Sequence, residues 1–448
     1  MILVPNLQRL LSGSKHLVFL LVSTLLLGGC GIFGPASKTS NKDEDSDVVS
    51  GTPERSPSPV DTIKWKVLTE DQAPPITERA TARETEFKDI YNVVLLAPLS
   101  ARRLQSVSDR PSVRMIRMME FLIGMQYAVQ NCLQDVKVKL EVIDTDEDPD
   151  FIKNFMDIPA IIDADIIVGP YFTDRVEAVS QYALEHDQVV VSPWNTVTLQ
   201  EANPYYIQLR PSLKSHAERI AGFVEENYAS NEIMLMTKND PRDIETLAFF
   251  QEGATTLDSL RFPQKIVYDI GSSDLTDSLV TYIQEGGYRR FIVPVWSDEP
   301  FVIAALSKLN FAKGEEEVTV FGLPQWMEMS RMDYDYFENL HVHLSSTRPV
   351  EYRSADAKAL RSNFAEQYGD IPGTDTYYGM NVMKWIAQLL KTEGVDITTG
   401  LAREILDIDE EFQFVGVFGE DGESIHHYEN QKVSIIRFVN YKFEEVDK

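Results

Sequence analysis

The rings of this chain suggest its chemistry first. Tyr171, Trp194, Trp296 and Trp326 each stand one or two residues after a proline (Pro170, Pro193, Pro294, Pro324), and each proline closes a short apolar run. Three of the five tryptophans follow this pattern, so most of the indole is gathered where strands are expected to end. An indole is costly to leave in water and stacks well on planar or sugar-like faces. The spacing therefore predicts a ligand site lined by Tyr171, Trp194, Trp296 and Trp326; the competing reading is that these rings pack lobe edges or a hinge. Ser100, Thr173, Asn195, Asp240 and Ser297 supply polar groups at the same kind of position. Thr173 stands where it could cap a helix starting near Asp174. The free N–H groups of such a start suit a carboxylate, although capping needs no ligand.

Other chemistries fail on spacing. Asp144, Asp146, Asp148 and Asp150 imitate the opening of a calcium loop, but Pro149 takes the glycine position and Phe155 the position of the bidentate Glu. His341 and His343 alternate on a strand and His426 and His427 are adjacent, without cysteines or clustered carboxylates at metal spacing. No Gly-x-Ser-x-Gly, HExxH or phosphate-loop pattern occurs. The reading is a binding protein without catalysis or cofactor. A hydrolase would need clustered acids or a Ser–His pair assembled from distant positions.

These residues need elements to hold them. Val93–Pro98 and Ile166–Val168 are continuous apolar runs, as expected of strands buried on both faces. Met115, Met118, Leu122, Met125, Val129 and Leu133 recur at helical spacing. Val136–Ile143 and Val189–Val191 read as further strands, and Thr173–Glu185 as a helix. A second alternation follows. Helices are expected at Glu218–Tyr228, Thr246–Leu257, Leu275–Glu285 and Glu299–Leu309, and strands at Ile233–Met236, Lys265–Tyr268, Phe291–Val293 and Val318–Phe321. Such alternation argues for parallel βαβ units, and its length exceeds one core, so two lobes are expected. Residues 412–445 read as short strands around a Gly419–Gly422 turn.

The N-terminus is of another kind. Arg9 and Lys15 precede the apolar run Leu17–Leu27, too short to span a bilayer comfortably. Leu27-Gly28-Gly29-Cys30 resembles the bacterial lipobox, which implies a signal peptide over 1–29 and lipid on Cys30. Cys132 is then the one remaining cysteine, unable to form an intramolecular disulfide and expected as a small buried residue. Residues 30–87 read as an acidic, Ser- and Pro-containing tether that cannot bury a core. With 42 basic and 70 acidic residues the net charge is −28. Such a surface repels phosphate backbones and anionic lipid headgroups, arguing against nucleic acid and leaving the lipid to hold the membrane. Gly31 lacks the Asp associated with inner-membrane retention, which favours the outer membrane.

Read as an ordered series, the segments resemble the type I periplasmic-binding-protein family, which includes the branched-chain amino-acid receptors. VVLLAPLS (93–100), LEVIDTDED (140–148), DIIVGP (165–170) and QVVVSP (188–193) are similar to its first four strands, Tyr377–Leu390 to its long late helix and FVGVFGEDG (414–422) to its late hairpin. The resemblance covers about 88–445. It implies an α/β fold of two Rossmann-like lobes with parallel sheets joined by crossover strands. Lobe one is expected at 88–212 plus 346–405, lobe two at 213–345 plus 406–445. It further implies hinged closure on a small-molecule ligand bound between them. The sequence departs from the amino-acid receptors at Trp194, where they carry a small hydroxyl residue. That leaves a second function open, an envelope-protein partner such as a cell-wall synthase regulated through this fold.

Overall fold

The computed structural model describes residues 86–103, 110–145, 151–197, 199–250, 265–269, 274–347, 354–402, 412–419, 422 and 424–446. The signal, Cys30, the tether up to residue 85 and Asp146–Asp150 lie outside these residues. No helix among the described residues is long and apolar enough to cross a membrane.

Two seven-stranded sheets organise the chain. The first holds β1 (Tyr91–Ala97), β2 (Val138–Asp144), β3 (Ile166–Val168), β4 (Val189–Ser192), β5 (Tyr206–Gln208), β11 (Phe414–Phe418) and β12 (Ile425–Asn430), in the order β11-β12-β5-β4-β3-β1-β2. The second holds β6 (Ile233–Lys238), β7 (Lys265–Tyr268), β8 (Arg290–Ile292), β9 (Thr319–Gly322), β10 (His343–Ser346), β13 (Ser434–Val439) and β14 (Lys442–Glu445), in the order β14-β13-β10-β9-β8-β6-β7. β1 to β5 pair in parallel, as do β6 to β10; β12 joins β5 in parallel and carries β11 antiparallel at the edge, while β13 and β14 add antiparallel strands beside β10. The same strand order thus occurs twice, each time reversing beside the first strand of its lobe: between β1 and β3, and between β6 and β8.

The strand interiors carry the apolar runs because helices cover both faces; Val93 to Leu96 are fully buried. Seven helices longer than ten residues occur among the described residues: α1 (Val113–Asn131), α2 (Thr173–Glu185), α3 (Leu213–Asn227), α4 (Asp274–Gln284), α5 (Glu299–Ala312), α6 (Ala355–Tyr368) and α7 (Thr374–Glu393). Ser112 and Ser212 cap α1 and α3 by accepting from the N–H of Met115 and Ser215. α1 and α7 cross at glycines. A Cβ on Gly124 would overlap the Thr376 carbonyl oxygen, and one on Gly379 the Phe121 carbonyl oxygen. In the C-terminal part of α6, Phe364 and Tyr368 pack at 4.8 Å.

Two expectations change. The tail does not belong whole to the second lobe: β11 and β12 extend the first sheet through β5, and only β13 and β14 join the second. Alternation marks a strand as half-buried, but the partner it pairs with is a long-range choice. The helix expected from Thr246 instead starts at Pro241, because Asp240 accepts the Arg242 N–H and Pro241 stands at the first position; its described helical turns end at Phe250.

Candidate functional site

Open parallel sheets offer ligands the crevice beyond the carboxyl ends of their strands, at the point where strand order reverses. In the first lobe this places Pro98–Ser100 beside Gly169–Thr173. Gly169 has φ of 102° and its Cα approaches Leu96 so closely that a Cβ would overlap the Leu96 carbonyl. Only glycine fits there. Asp144, at the end of β2, accepts from the backbone N–H of Ser100 (3.0 Å) and Ala101 (2.8 Å), which fixes the loop after β1. The Ser100 and Thr145 hydroxyls are buried without a hydrogen-bond partner. Such groups cost roughly 1–3 kcal/mol each, so this rim holds polar capacity that the protein itself leaves unused.

The loops after β3 and β4 are tied by one side chain. The Asn195 amide donates to the carbonyl oxygens of Tyr171 (2.8 Å) and Pro170 (3.3 Å), and its oxygen accepts from the Thr173 hydroxyl (3.2 Å). Thr173 therefore does not act as the cap of α2. The helix begins at Thr173 itself, and the preceding Phe172 makes no side-chain cap bond. Arg114 and Arg175 lie over Phe172 at 5.2 and 5.0 Å.

The rings divide. Trp194 is 7% exposed and packs edge-on against Phe121 at 4.9 Å and beside Tyr171 at 5.6 Å. Its indole N–H is buried without a partner. Trp326 is 0% exposed; its N–H donates to the Val295 carbonyl (2.9 Å) and its ring lies near Phe337. Burying ~200 Å² of such a ring contributes roughly 5 kcal/mol, and Trp326 spends it on the second core. The expectation that Trp326 lines a cleft is corrected: proline-then-tryptophan marks the end of a strand, and which way the ring turns is set by packing. Trp296 is half-buried, with its ring edge-on to His216 at 5.8 Å.

At the reversal point of the second lobe, Lys238 ends β6 and pairs with Asp298 after β8 at 2.7 Å. Asp298 also caps α5 by accepting the Phe301 N–H (3.0 Å). Burial raises the Asp298 carboxyl, but the Lys238 ammonium and the Phe301 N–H outweigh it and hold it below the ordinary range. The hydrogen bond to Asp298 raises Lys238 in turn. Burial, then Asp240 beside it, raises Asp243. Asp240 caps the short helix Pro241–Thr246, and Ser297 is exposed.

A seam joins these ends. Arg210 follows β5 and opens the first crossover. Its guanidinium donates to the Trp194 carbonyl (3.1 Å) and lies 5.7 Å from the Trp296 ring centre. The Gln325 amide, with its oxygen turned to its two donors, accepts from Trp296 Nε1 and Arg210 Nη2, both at 3.1 Å. Arg117 on α1 reaches Glu328, after β9, at 3.6 Å. Beneath Arg210, His216 bonds Ser345 (2.9 Å), and Glu429 accepts from the Ser212 N–H and the Ser215 hydroxyl. Burial, with Arg210 nearby, lowers His216 to about 3. Sequence reading missed Arg210, Gln325, His216, Lys238 and Asp298. Only Asp298 carried a local signal, an Asp two residues before Pro300 at a helix start. A pocket of about 410 Å³ lies elsewhere, at the amino ends of β1, β3 and β4, lined by Lys88, Asn92, Asp165 and Gln188 among others.

Among the described residues no group of three or more His, Cys, Asp or Glu could hold a metal ion. His343 is buried in β10, and His426 and His427 face each other at 3.0 Å. Cys132 is a free, partly buried thiol at the end of α1, which burial pushes up.

A family model described as periplasmic binding protein matches residues 118–433. Among solved structures, an ABC transporter substrate-binding protein from Desulfitobacterium hafniense in complex with Leu is 15% identical, the match covering 80% of this chain and 100% of that one, with a TM-score of 0.50. A further ABC transporter substrate-binding protein from Desulfitobacterium hafniense is 13% identical over 80% and 100% of the two chains, with a TM-score of 0.53. A branched chain amino acid ABC transporter periplasmic ligand-binding protein from Burkholderia xenovorans LB400 is 11% identical over 80% and 94%, with a TM-score of 0.52. No curated protein matches the chain. At these identities the structural likeness shows the fold.

Proposed function

The chain belongs to the periplasmic binding protein family, and from that premise we propose that it is an extracytoplasmic receptor for a small solute, held at a membrane by lipid on Cys30 and serving an ABC transporter. The observation that carries the reading is the doubled reversal of strand order, β1/β3 and β6/β8, with the ends of both sheets linked through Arg210. A ligand held there touches both lobes, so its binding energy favours their closed arrangement. A structure in the family bound Leu, which makes amino acids the first ligand class to try. The test is a thermal-shift panel of amino acids, sugars, nucleosides and muropeptides. A ligand at a hundred times its Kd adds about 2.7 kcal/mol, on the order of 3 °C for a domain of this size. A silent panel removes the receptor reading.

One observation favours a second reading. Trp194 and Trp326 are both buried, and Arg210, Gln325 and Trp296 fill the seam with protein contacts. That arrangement suits a regulator that binds an envelope protein rather than a solute, and a silent panel would select it. The lipid anchor has its own test. A Cys30→Ser chain is expected in the soluble envelope fraction, and its persistence in the membrane fraction would remove lipidation from the account.

A further inference from the structure

A polar cavity lies at the end of the first sheet away from the seam. Set at the amino ends of β1, β3 and β4, it holds about 410 Å³, the size of a small-molecule site. Its lining is lopsided in charge: the carboxylates of Glu86, Asp163, Asp165 and Asp187 stand against the ammonium of Lys88. Asp165 is taken, its two oxygens accepting from Lys88 Nζ (2.6 Å) and the Asn92 N–H (2.8 Å). Asp187 accepts from the Tyr205 hydroxyl (2.8 Å), and His186 Nδ1 is spent on the Tyr182 carbonyl (2.8 Å). The Asp163 carboxylate is exposed and meets no donor among the described residues.

Gln188 makes this cavity more than an acidic surface. It is 9% exposed and lines the wall. Its amide nitrogen donates to the carbonyls of Ile161 (2.9 Å), Ile162 (3.2 Å) and Ala164 (2.9 Å), at the end of the short helix Pro159–Ile162. With the nitrogen turned to those carbonyls, the oxygen is the atom of the amide left for the cavity, and it is buried without a partner. A buried acceptor without a donor, beside surplus carboxylate, calls for an N–H that carries positive charge. Ile162, 55% exposed, and the half-buried Val395 add apolar wall, which suits the methylenes of an amphipathic cation.

We propose that this cavity is a second binding site, outside the cleft, for a primary ammonium or guanidinium on an alkyl stem, whether of a free amine or of a lysine or arginine side chain. The Gln188 oxygen accepts one N–H, Asp163 and Glu86 balance the charge, and Ile162 and Val395 take the stem. The proposal stands or falls independently of the receptor reading, because the cleft lies at the opposite ends of the strands.

The experiment titrates the full chain in detergent micelles by calorimetry at 0.15 M salt, where surface charges are screened beyond about 8 Å. The probes are agmatine, the neutral butylurea, and choline, whose charge carries no N–H. Agmatine is expected to bind and the other two are not. Asp163→Asn is expected to weaken agmatine about two- to fivefold, as for an exposed ion pair. Gln188→Met should weaken it about tenfold or more, as for a hydrogen bond to a charged group. Lys88→Ala uncovers Asp165, so its thermal midpoint is expected to fall and n-propylammonium, the shape of the deleted stem, to restore it more than it raises the wild type. A Gly-Gly-Arg-Gly-Gly peptide separates the sources: binding tighter than agmatine assigns the site to a protein side chain, and weaker binding to a free amine. Silence toward agmatine, choline or butylurea bound as well as agmatine, an agmatine affinity unchanged in Asp163→Asn, or equal propylammonium responses in Lys88→Ala and wild type each overturns the proposal.

Discussion

Single residues show how burial turns one side chain into structure and its neighbour into chemistry. His216, His343 and His427 are all buried and lowered, to about 3, 4 and 4, with burial the leading cause in each. Their native imidazoles refuse protons that an unfolded chain would take near its ordinary value of about 6.5. Where the unfolded state binds more protons, stability rises with pH. The stability these residues contribute is therefore complete above about pH 6.5 and lost as pH falls toward 3 to 4. Denaturant midpoints measured from pH 7 to pH 4 should fall accordingly. His216→Asn should flatten that slope, by at most about 1.4 kcal/mol per pH unit for one site; an unchanged slope would mean that His216 titrates normally. Trp194, Trp296 and Trp326 carry the same lesson without titration. All three follow a proline at a strand end, and packing alone sends Trp326 into the core while leaving Trp296 on the seam.

At the level of elements, the long helices are placed by what they lack. α1 and α7 approach until backbone meets backbone, and Gly124 and Gly379 are the residues that permit it. Gly379→Ala would force the helices apart and is expected to cost about 2–3 kcal/mol in denaturant unfolding. Gly222→Ala is the matched control. It sits within α3 with no atom near its Cβ position, so the substitution should stabilise by roughly 0.5–1 kcal/mol through helix propensity and unfolded-state entropy. Equal effects at both sites would remove the close-packing account. This contact matters to the site because Phe121 of α1 and Tyr378 of α7 hold the first-lobe ring cluster: Phe121 packs on Trp194, and the Tyr378 hydroxyl donates to the Pro193 carbonyl (2.8 Å).

For the molecule as a whole, two copies of one strand order are joined by crossovers after β5, β10 and β12, and the first crossover carries Arg210. The sequence by itself determined the local elements: apolar runs for strands buried on both faces, 3.6-residue spacing for the α1 and α2 faces, and prolines where strands stop. It determined the pair of α/β lobes as well, because alternation of helix and strand leaves few ways to bury both. The tertiary structure decided the rest. It chose which sheet each late strand joins, sending β11–β12 to one and β13–β14 to the other. It also decided that Trp326 is core, that Thr173 bonds Asn195 instead of capping its helix, and that Arg210, Gln325 and Trp296 meet. Periodicity is written in neighbouring residues, each of which alone tells whether a face is wet or dry. Pairing, ring orientation and convergence depend on residues well outside any local window, 22 positions apart for Thr173 and Asn195 and 31 for Trp326 and Val295, and no local pattern records which of them arrives.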